Sequence, residues 1–545
     1  MAKATIAIDP VTRIEGHLKA QVVVENGKVV DAHLTGGMFR GFEQILKGRD
    51  PRDSTQIVQR ICGVCPTSHA MASALAQESA FNIKVTGNGR ITRNLILGAN
   101  YLQSHILHFY HLAALDFVAG PDTAPFVPRF AQPDLRLPPE ANKVGVDQYL
   151  EALEVRRIAH EMVALFGGRM PHVQGIVPGG ATEMPTKEAL LEYAARFKKV
   201  RQFIVEKYLP ITYIVGSVYK DLFEQGQGVH GCSCFGVFPM TDDGKTHLLK
   251  AGIFLNGRDV EFDPKKITED LKYAWYDDAT TGKGAAGAET NPNLDKKDAY
   301  SFVKAPRYDG EVIEVGPAAR MWVANAPLSE VGVKMLKEKF GIEARTIRDL
   351  GWDKVFSIMG RHVARAEEAL LIANAVEGWL KEVKPDGETF TPFEIPQSAE
   401  GYGCTEAPRG SLVHYIRVKD QKIDSYQIIS ATLWNCSPRD DKGRRGPLEE
   451  ALIGVQVPDI NNPVNVGRTI RAFDRPVILV DDMLHDGKRI RRLAPLLEQT
   501  HTRVDQVLVG YLTGMGRDLM EQLGYPVDGI YYLPNLRMRF VESTL

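Results

Sequence analysis

The chain has 545 residues, with 66 Lys and Arg against 68 Asp and Glu and a formal net charge of −2. This balanced charge gives no reason to expect a nucleic-acid partner, and 44% apolar with 25% charged residues is ordinary for a globular protein. The sequence contains no apolar run of about 18 residues, so we predict no intrinsic membrane segment, and six cysteines favour metal or redox use over a disulfide scaffold.

The first predicted elements are two strands that form a hairpin. Residues 17–34 alternate apolar and polar side chains around Asn26-Gly27, which is the strongest short-range hairpin signal. From about residue 89 to residue 118 the apolar side chains recur at three- and four-residue steps, which predicts a long buried helix. Its predicted buried positions are Leu95, Ala99, Leu102, Ile106 and Phe109.

Further segments carry the same helical period, and together they predict a bundle of long helices. They are residues 146–168, 187–209 and 352–383. Residues 225–320 are rich in Gly, Asp, Asn and Lys without a clear period, so we expect short strands and loops around the bundle there. The predicted class is α+β, a bundle of long helices with peripheral β-hairpins.

The sequence changes character after Asp474. Short apolar runs at residues 476–482, 504–512 and 527–533 alternate with helical stretches at 487–500 and 516–525. This order predicts a βαβαβ segment with a parallel sheet. We therefore divide the chain into a domain of residues 1–474 and a short α/β segment of residues 475–545.

The sharpest chemical feature is "RICGVCPTSH", residues 60–69. Cys62 and Cys65 lie three positions apart with a glycine between them, so both thiolates can turn toward one soft metal such as iron, nickel, copper or zinc. A structural zinc pair and a redox dithiol are the alternative interpretations. No second chelating pair is visible in the sequence.

Two other segments carry titratable side chains. In "GCTEAPRGSLVH", residues 403–414, Gly and Pro predict turns that display Glu406, Arg409 and His414, and Arg409 can hold an anion or stand over a metal's small ligands. The alternative is a surface loop with a solvated arginine. Near the N-terminus, Glu15 lies between Arg13 and His17. It forms a surface ion pair if it is exposed, or it can carry a proton if it is buried.

These segments together resemble the large subunit of nickel-iron hydrogenases. The amino-acid sequence of the N-terminal strands and of the first long helix is most similar to the nickel-iron-selenium branch. The motifs that carry the resemblance are "DPVTRIEGH", "FRGFEQILKGRDPRD", "RICGVCPTSH", "HFYHLAALDFV", "EAPRGSLVH" and "WNCSPRDD". The resemblance covers about residues 4–474. It implies the large-subunit hydrogenase fold and the reversible heterolytic splitting of H2 into protons and electrons.

The resemblance implies a nickel-iron centre with carbon monoxide and cyanide on iron. Cys62 and Cys65 would each bind nickel, and Cys65 would also bridge to iron. His69 would hydrogen-bond the bridging sulfur, as an outer partner that tunes a metal site. Asp116 and Arg409 would form a canopy above the metals that polarises H2.

Three further residues acquire expected roles from the same resemblance. Pro408, beside the canopy arginine, would contact the cofactor. Glu15 would be the first proton acceptor on the exit path. Glu43 would bind a remote divalent cation, magnesium or iron, that braces the C-terminal region.

Electrons must leave through another protein, because the remaining cysteines lack iron-sulfur spacing and no iron-sulfur cluster is expected in this chain. The expected partner is a small subunit that carries such clusters and passes electrons to an acceptor such as a cytochrome. The N-terminal sequence lacks the layout of a signal peptide. We expect a periplasmic enzyme exported by the small subunit's signal, or a cytoplasmic one if it is not exported.

The family pattern breaks after "RTIRAFD", residues 468–474. The family continues with Pro, Cys or selenocysteine, two residues, Cys, two residues and His, whereas here Arg475 and Pro476 follow Asp474. The second pair of nickel ligands and the histidine that would share the cation with Glu43 are therefore missing, which puts the activity of the chain as written in doubt.

Three accounts of this junction stay open. In the first, a selenocysteine codon was read as a stop and unrelated sequence was joined to the gene. In the second, a natural fusion ended the hydrogenase chemistry and left a scaffold. In the third, a fusion lets a nucleotide-binding tail regulate a site rebuilt from other ligands, and the selenium-branch resemblance favours the first account.

The tail itself weakly resembles phosphoribosyltransferases. In "VILVDDMLHDG", Asp481 and Asp482 would face ribose hydroxyls, and the loop that ends at Gly487 would hold phosphate. The loop lacks the usual threonines, and only about 70 residues of that fold are present. The alternative function is thus an inactive hydrogenase-like scaffold fused to a phosphoribosyl-diphosphate-binding segment.

Overall fold

A computed structural model describes residues 3–124, 126–127 and 133–473, together with four short strands beyond residue 475. The chain divides into two compact units, Met1–Val477 and Ile478–Leu545. The assignment of the second unit to a phosphoribosyltransferase-like fold remains a prediction.

The elements are as follows. The α-helices are α1 (Phe42–Leu46), α2 (Pro51–Ile57), α3 (Pro66–Phe81), α4 (Gly87–Leu107), α5 (Pro139–Gly167), α6 (Lys187–Phe203), α7 (Leu209–Val218), α8 (Pro317–Ala324), α9 (Glu330–Phe340), α10 (Trp352–Val355), α11 (Ile358–Glu382), α12 (Ala431–Asn435), α13 (Pro447–Leu452) and α14 (Val464–Ala472). The strands are β1 (Ala4–Ile8), β2 (Glu15–Gly16), β3 (Leu18–Glu25), β4 (Lys28–Gly36), β5 (Ile176–Val177), β6 (Gly180–Ala181), β7 (Gly231–Cys234), β8 (Val237–Pro239), β9 (His247–Leu249), β10 (Gly252–Leu255), β11 (Arg258–Val260), β12 (Ile267–Asp270), β13 (Ala305–Tyr308), β14 (Glu314–Val315), β15 (Ser398–Ala407), β16 (Gly410–Lys419), β17 (Lys422–Ile429), β18 (Pro476–Val477), β19 (Met483–Leu484), β20 (Val507–Thr513) and β21 (Val527–Leu533).

The N-terminal hairpin is confirmed. Strands β3 and β4 pair antiparallel across Asn26-Gly27, and both turn residues have positive φ, 51° and 72°, the conformation that a two-residue hairpin turn requires. Strand β1 completes a three-stranded sheet. The buried side of this sheet packs with α13 and α14 in a small, separate apolar core.

The helical bundle is also confirmed, with α4 at its centre, packed against α5 and α11. All five predicted core positions of α4 and its continuation are buried, at 2% exposure or less. The predicted helix does not stay regular to its end. It widens into a π-helical turn at His108–Ala113 and tightens into a 3₁₀ turn at Ala114–Asp116, and this irregularity displays the Asp116 carboxylate at the end of the helix.

The other long helical predictions hold with one break. Helix α6 runs through a π-helical turn, Ile204–Tyr208, into α7. The predicted helix of residues 352–383 is instead two helices, because Ser357 caps α11 by accepting a hydrogen bond from Gly360 N–H. The middle of the chain folds as predicted into short strands, β7 to β14, with loops and 3₁₀ turns between them.

A three-stranded antiparallel sheet, β15-β16-β17, packs directly on α3. The approach is close enough that a Cβ atom added at Gly403 would lie 1.9 Å from the carbonyl oxygen of Ala72, and one added at Gly401 would lie 2.5 Å from Ala80 N. Only glycine permits this contact. It fixes the hairpin turn after β15 relative to the N-terminal end of α3.

In the second unit, β19, β20 and β21 form a three-stranded parallel sheet, as predicted for an α/β segment. Of the predicted first strand, residues 476–482, only Pro476–Val477 is described; it belongs to the first unit and pairs there in parallel with Glu15–Gly16. The predicted helices of the tail lie outside the described residues. No helix in the described part of the chain has the length and apolarity needed to cross a bilayer.

Candidate functional site

The two cysteines lie in a short link between a 3₁₀ turn, Val58–Ile61, and the start of α3. Cys65 is the residue before the helix and Pro66 occupies its first turn, a position that proline favours. The backbone N–H of Cys65 donates to the Cys62 sulfur across 3.3 Å. Both side chains are buried, at 4% and 2% exposure, so the two sulfurs are presented by one rigid turn.

Neighbouring helices hold this turn through its backbone. The carbonyl of Val64 accepts hydrogen bonds from Asn100 Nδ2 at 3.1 Å and Gln103 Nε2 at 3.0 Å, both on α4. Arg40 donates to the two carbonyls just before Cys62, each at 2.8 Å. These contacts use amides and a guanidinium on backbone oxygens, and so they position the thiols without occupying the sulfur atoms.

Hydrogen bonds and charge outweigh burial in setting the protonation state of Cys62. Burial alone would raise the pKa of Cys62, yet the hydrogen bonds from Cys65 and the positive charge of Arg409 outweigh it and lower that pKa to about 6. A thiolate is the form that binds a metal. At neutral pH the arrangement therefore favours a metal-binding form of Cys62.

Arg409 reaches this position from the turn between β15 and β16. Ala407 pairs with Gly410, so Pro408 and Arg409 are the two residues of a tight hairpin turn. Arg409 is 1% exposed, so the alternative prediction of a surface loop with a solvated arginine is wrong. The prediction of a turn is correct for these two residues, whereas Glu406 and His414 lie within the long strands on either side.

His69, one turn into α3, faces the same hairpin. Its Nδ1 lies 3.1 Å from His414 Nε2, and His414 Nδ1 lies 2.8 Å from the Tyr426 hydroxyl. Burial and the charge of Arg40 lower the pKa of His69 to about 3. Both imidazoles are therefore neutral at pH 7, and each ring can donate with one nitrogen and accept with the other.

Asp116 is buried between arginines. Its carboxylate accepts from Arg13 Nη2 at 2.5 Å and from Arg471 Nε and Nη2 at 2.5 and 2.8 Å, and its backbone carbonyl accepts from Arg468 at 2.6 Å. Burial works against ionisation, but these guanidinium groups hold the pKa of Asp116 below its usual value. Asp116 thus joins the N-terminal segment, the end of the first long helix and α14.

Glu43, on α1, lies in a separate polar site. Its carboxylate accepts from Thr290 Oγ1 and from the backbone N–H of Ile428, the latter at 2.9 Å, and Lys304 Nζ lies 3.8 Å away. A cavity of about 360 Å³ adjoins it, lined also by Gln427. The environment suits a carboxylate that faces a cation.

The structure brings Cys62, Cys65 and Arg409 together, and it joins His69 to the strand that follows Arg409. Nothing is described of the side chain of Glu15, whose backbone lies in β2. The tail positions Asp481, Asp482 and Gly487 lie outside the described residues. Their expected roles remain predictions.

The sequence analysis did not identify the residues that hold the backbone of the site through hydrogen bonds. The clearest is Arg320 on α8, which is 0% exposed and donates to the carbonyls of Ala407 and Pro408. A signal existed in the sequence, since a lone arginine in the apolar stretch "PAARMWVA" predicts a buried, paired charge. Asn100 and Gln103 gave no comparable signal, because amides are common on long helices.

A nickel-iron centre would find only part of its ligand set here. The buried Cys62 and Cys65 fit two thiolate ligands, and the four other cysteines lie elsewhere, on β7, on β15 and at the end of α12. Among the residues that the structure describes, no group of three or more His, Cys, Asp or Glu side chains is placed to hold a metal ion. In the described part of the chain, none of these four cysteines joins Cys62 and Cys65 as a further ligand.

Comparisons with known proteins give one consistent result. A family profile described as "Nickel-dependent hydrogenase" matches residues 40–122 and 117–478, and one described as "HoxL-like" matches residues 5–35. The periplasmic NiFeSe hydrogenase large subunit of Desulfomicrobium baculatum is 63% identical over 492 residues, covering 89% of this chain and 96% of that protein.

More distant and structural relatives agree. The hydrogenase-2 large chain of Escherichia coli K12 is 34% identical over 542 residues, covering 86% of this chain and 95% of that one. The Ni-Fe-Se hydrogenase of D. vulgaris Hildenborough in its reduced state superposes with a TM-score of 0.86 at 67% identity, covering 87% of this chain and 99% of that chain. The expected large-subunit fold is therefore confirmed.

Proposed function

The chain belongs to the nickel-dependent hydrogenase family, and from this premise we propose how its residues act on H2. Large subunits of this family are enzymes that carry a nickel-iron centre. The similarity to NiFeSe hydrogenase large subunits supports catalytic H2 oxidation and does not favour an inactive scaffold. The observation that carries our proposal is the buried Cys62–Cys65 turn beside the guanidinium of Arg409.

Cys62 and Cys65 would hold nickel as thiolates, and Cys65 would also be a ligand of an iron that carries carbon monoxide and cyanide. When bound, the centre supplies the Lewis acidity and the electron transfer that H2 cleavage requires. The protein contributes orientation, since Asn100, Gln103 and Arg40 fix the backbone of the turn. Pro408 would close the other wall of the site.

Arg409 would polarise H2 as a fixed positive charge. A guanidinium keeps its proton at any physiological pH, so this charge cannot be lost during the reaction. Asp116, held ionised by Arg13 and Arg471, would complete the canopy and offset part of the positive charge on the arginine-rich side of the site. His69 would donate to the bridging sulfur from its neutral ring.

Glu15 would receive the first proton. Support comes from chain order, because Arg13, two residues earlier, is anchored to Asp116 at the canopy. With Asp116 in the canopy, that anchor would bring the N-terminal segment to the edge of the site. From there a carboxylate can pass a proton toward solvent.

Glu43 would bind a divalent cation, magnesium or iron, in the adjoining cavity. Carboxylate and amide oxygens, which Glu43 and Gln427 supply, are the ligands that such hard cations prefer. Lys304 already offers a positive charge on one side of Glu43. The cation would therefore approach from the cavity side.

Electrons would leave through an iron-sulfur small subunit, and from it to an acceptor such as a cytochrome. The relative from Desulfomicrobium baculatum is named as a periplasmic large subunit, which supports a periplasmic location reached with that partner. The pairing also matches the chemistry, since H2 oxidation needs an electron exit that six scattered cysteines do not provide.

The test is production of the chain with a small subunit, followed by nickel analysis and H2-dependent reduction of a dye. A matched second version carries the family ending, Pro-Cys-x-x-Cys-x-x-His, directly after Asp474. We expect about one nickel per heterodimer and H2 turnover in the second version, and weaker nickel retention with two thiolates in the first. Heterodimers of both versions that hold no nickel and consume no H2 would contradict the proposal.

A further inference from the structure

We propose that Arg320 is the positioning residue for Arg409. Arg320 lies on α8, beneath the β15–β16 turn, and it would hold that turn so that Arg409 stands beside Cys62. The inference rests on the role proposed above for Arg409. It adds a residue that touches neither the metals nor H2 and acts only through the backbone of the turn.

The guanidinium of Arg320 uses every donor that it has. Nη1 donates to the carbonyl of Ala407 and Nη2 to the carbonyl of Pro408, each at 2.8 Å. Nε and Nη2 donate to the two oxygens of Glu368 at 2.6 and 2.7 Å, and Nη1 also donates to Glu406 at 2.9 Å. Arginine has five N–H groups, so all of them are engaged at once.

Its partners are themselves fixed. Glu368 also has His105 Nε2 at 2.8 Å, and the charge of Arg320 outweighs burial and lowers the pKa of Glu368 to about 2. Glu406 also accepts from Phe235 N–H at 2.8 Å and from Ser411 Oγ at 2.6 Å. The cluster therefore cannot rotate without breaking several buried hydrogen bonds.

The turn has no slack with which to absorb a shift. It contains only two residues, and at Gly410, where φ is +141°, an added Cβ would lie 2.3 Å from Val315 Cγ2. The turn is thus clamped between β14 on one side and Arg320 on the other. Its two carbonyls immediately precede Arg409, so a movement there moves the Arg409 side chain directly.

Lysine cannot replace this arginine. It keeps the positive charge that Glu368 and Glu406 require, but it offers three donors from a single nitrogen instead of five in a planar fork. Arg320→Lys therefore keeps the positive charge at this position but removes the hydrogen bonds that position the turn. Arg307→Lys is a matched control, since Arg307 is 1% exposed, pairs with Asp440 at 3.1 Å and donates to the carbonyl of Pro306 at 2.7 Å.

The experiment uses the heterodimer whose large subunit carries the family ending after Asp474, and it has two readouts. Amide hydrogen exchange of residues 405–412 reports the turn itself; we expect faster exchange there in Arg320→Lys and no change there in Arg307→Lys. H2 turnover should fall by ~10²-fold, as expected for a displaced catalytic group. Unchanged exchange of residues 405–412 in Arg320→Lys would overturn the inference, whether or not the wild type turns over H2.

A double-mutant cycle decides whether Arg320 acts through Arg409. Because residues that act as one unit are not additive, Arg320→Lys combined with Arg409→Lys should turn over H2 no more slowly than Arg409→Lys alone. Losses that multiply would contradict the inference. If Arg320→Lys does not fold, Glu406→Gln serves in its place. The amide has a single oxygen, which cannot accept from Arg320 Nη1 and from Phe235 N–H at once, so one buried contact is lost and residues 405–412 should loosen in the same way.

Discussion

The chain contains two buried pairs of closely spaced cysteines, and they differ in character. Cys62 and Cys65 precede α3, and Cys232 and Cys234 lie on β7 with 0% exposure. The pKa of Cys62 is lowered to about 6, whereas burial and neighbouring carboxylates raise the pKa of the β7 thiols well above the usual value.

The difference lies in the hydrogen bonds and charges around each sulfur, since Cys62 also accepts from Cys65. Both pairs are out of water, which by itself favours the neutral thiol. Cys62 has Arg409 beside it, while Cys232 has Glu314 and Cys234 has Glu406. Burial with a fixed cation gives a metal-binding thiolate, and burial with an anion gives an inert apolar side chain.

The largest expected effect comes from removing a sulfur of the first pair. Cys65→Ser should reduce nickel content and H2 turnover to background, because an alkoxide is not available at neutral pH and a hydroxyl is a poor ligand for nickel. Nickel analysis and dye reduction measure both quantities in the heterodimer whose large subunit carries the family ending after Asp474.

Cys234→Ser is the control for that change. It removes an equally buried sulfur, but one that we expect to bind no metal, and it should leave nickel content unchanged while it lowers the free energy of unfolding by about 1–3 kcal/mol through a buried hydroxyl. Equal nickel loss in both variants would show that the two pairs do not differ in function.

A smaller effect tests the charge itself. Arg409→Gln removes the cation beside Cys62, so the pKa of Cys62 should rise from about 6 toward its ordinary value of 9.0. Thiolate absorbance in the metal-free protein, with Cys62→Ser as the blank, should then appear at higher pH than in the wild type. Turnover should fall by ~10²-fold or more, as for loss of one preorganised electrostatic contact. An unchanged titration would remove Arg409 as the cause.

The sequence was sufficient for one side of this comparison. The spacing of Cys62 and Cys65 predicts a shared ligand, and the motifs around them predict the family and the helical bundle. The neighbours of Cys232 could not be predicted, because Glu314 is far away in the sequence and reaches Cys232 only through the pairing of β14 with β7. Whether a buried thiol ionises depends on such long-range contacts.

The same limit applies to the two arginines of the site. Arg409 was visible because it stands in a Pro- and Gly-bounded turn, but its burial was not, since a hairpin turn is usually solvated. Arg320 holds the backbone of that turn from helix α8, 89 positions earlier in the chain. Local patterns identify the turn, and only the packed structure shows what holds it.

The smallest expected effect extends the rule from thiols to carboxylates. Glu368 and Glu449 are both buried at 0% exposure, but Glu368 binds Arg320 directly and has a pKa of about 2. Glu449 accepts from Leu34 N–H and from the Tyr300 hydroxyl instead. Burial outweighs these contacts and raises the pKa of Glu449 to about 7, from an ordinary value of 4.5.

A raised acid pKa means that the folded state binds the proton more tightly than the unfolded state does. Stability from Glu449 is therefore complete below about pH 4.5 and is lost as the pH rises to about 7; at 1.36 kcal/mol per pKa unit this is about 3 kcal/mol. Glu449→Gln cannot ionise, so its Tm relative to the wild type should be higher at pH 8 than at pH 5. Glu368→Gln should instead lower Tm at both pH values, because it leaves the Arg320 charge without its carboxylate. If Glu449→Gln showed the same Tm difference at both pH values, burial without a directly bound guanidinium would not be what separates these two carboxylates, and the account of the two cysteine pairs would lose its parallel.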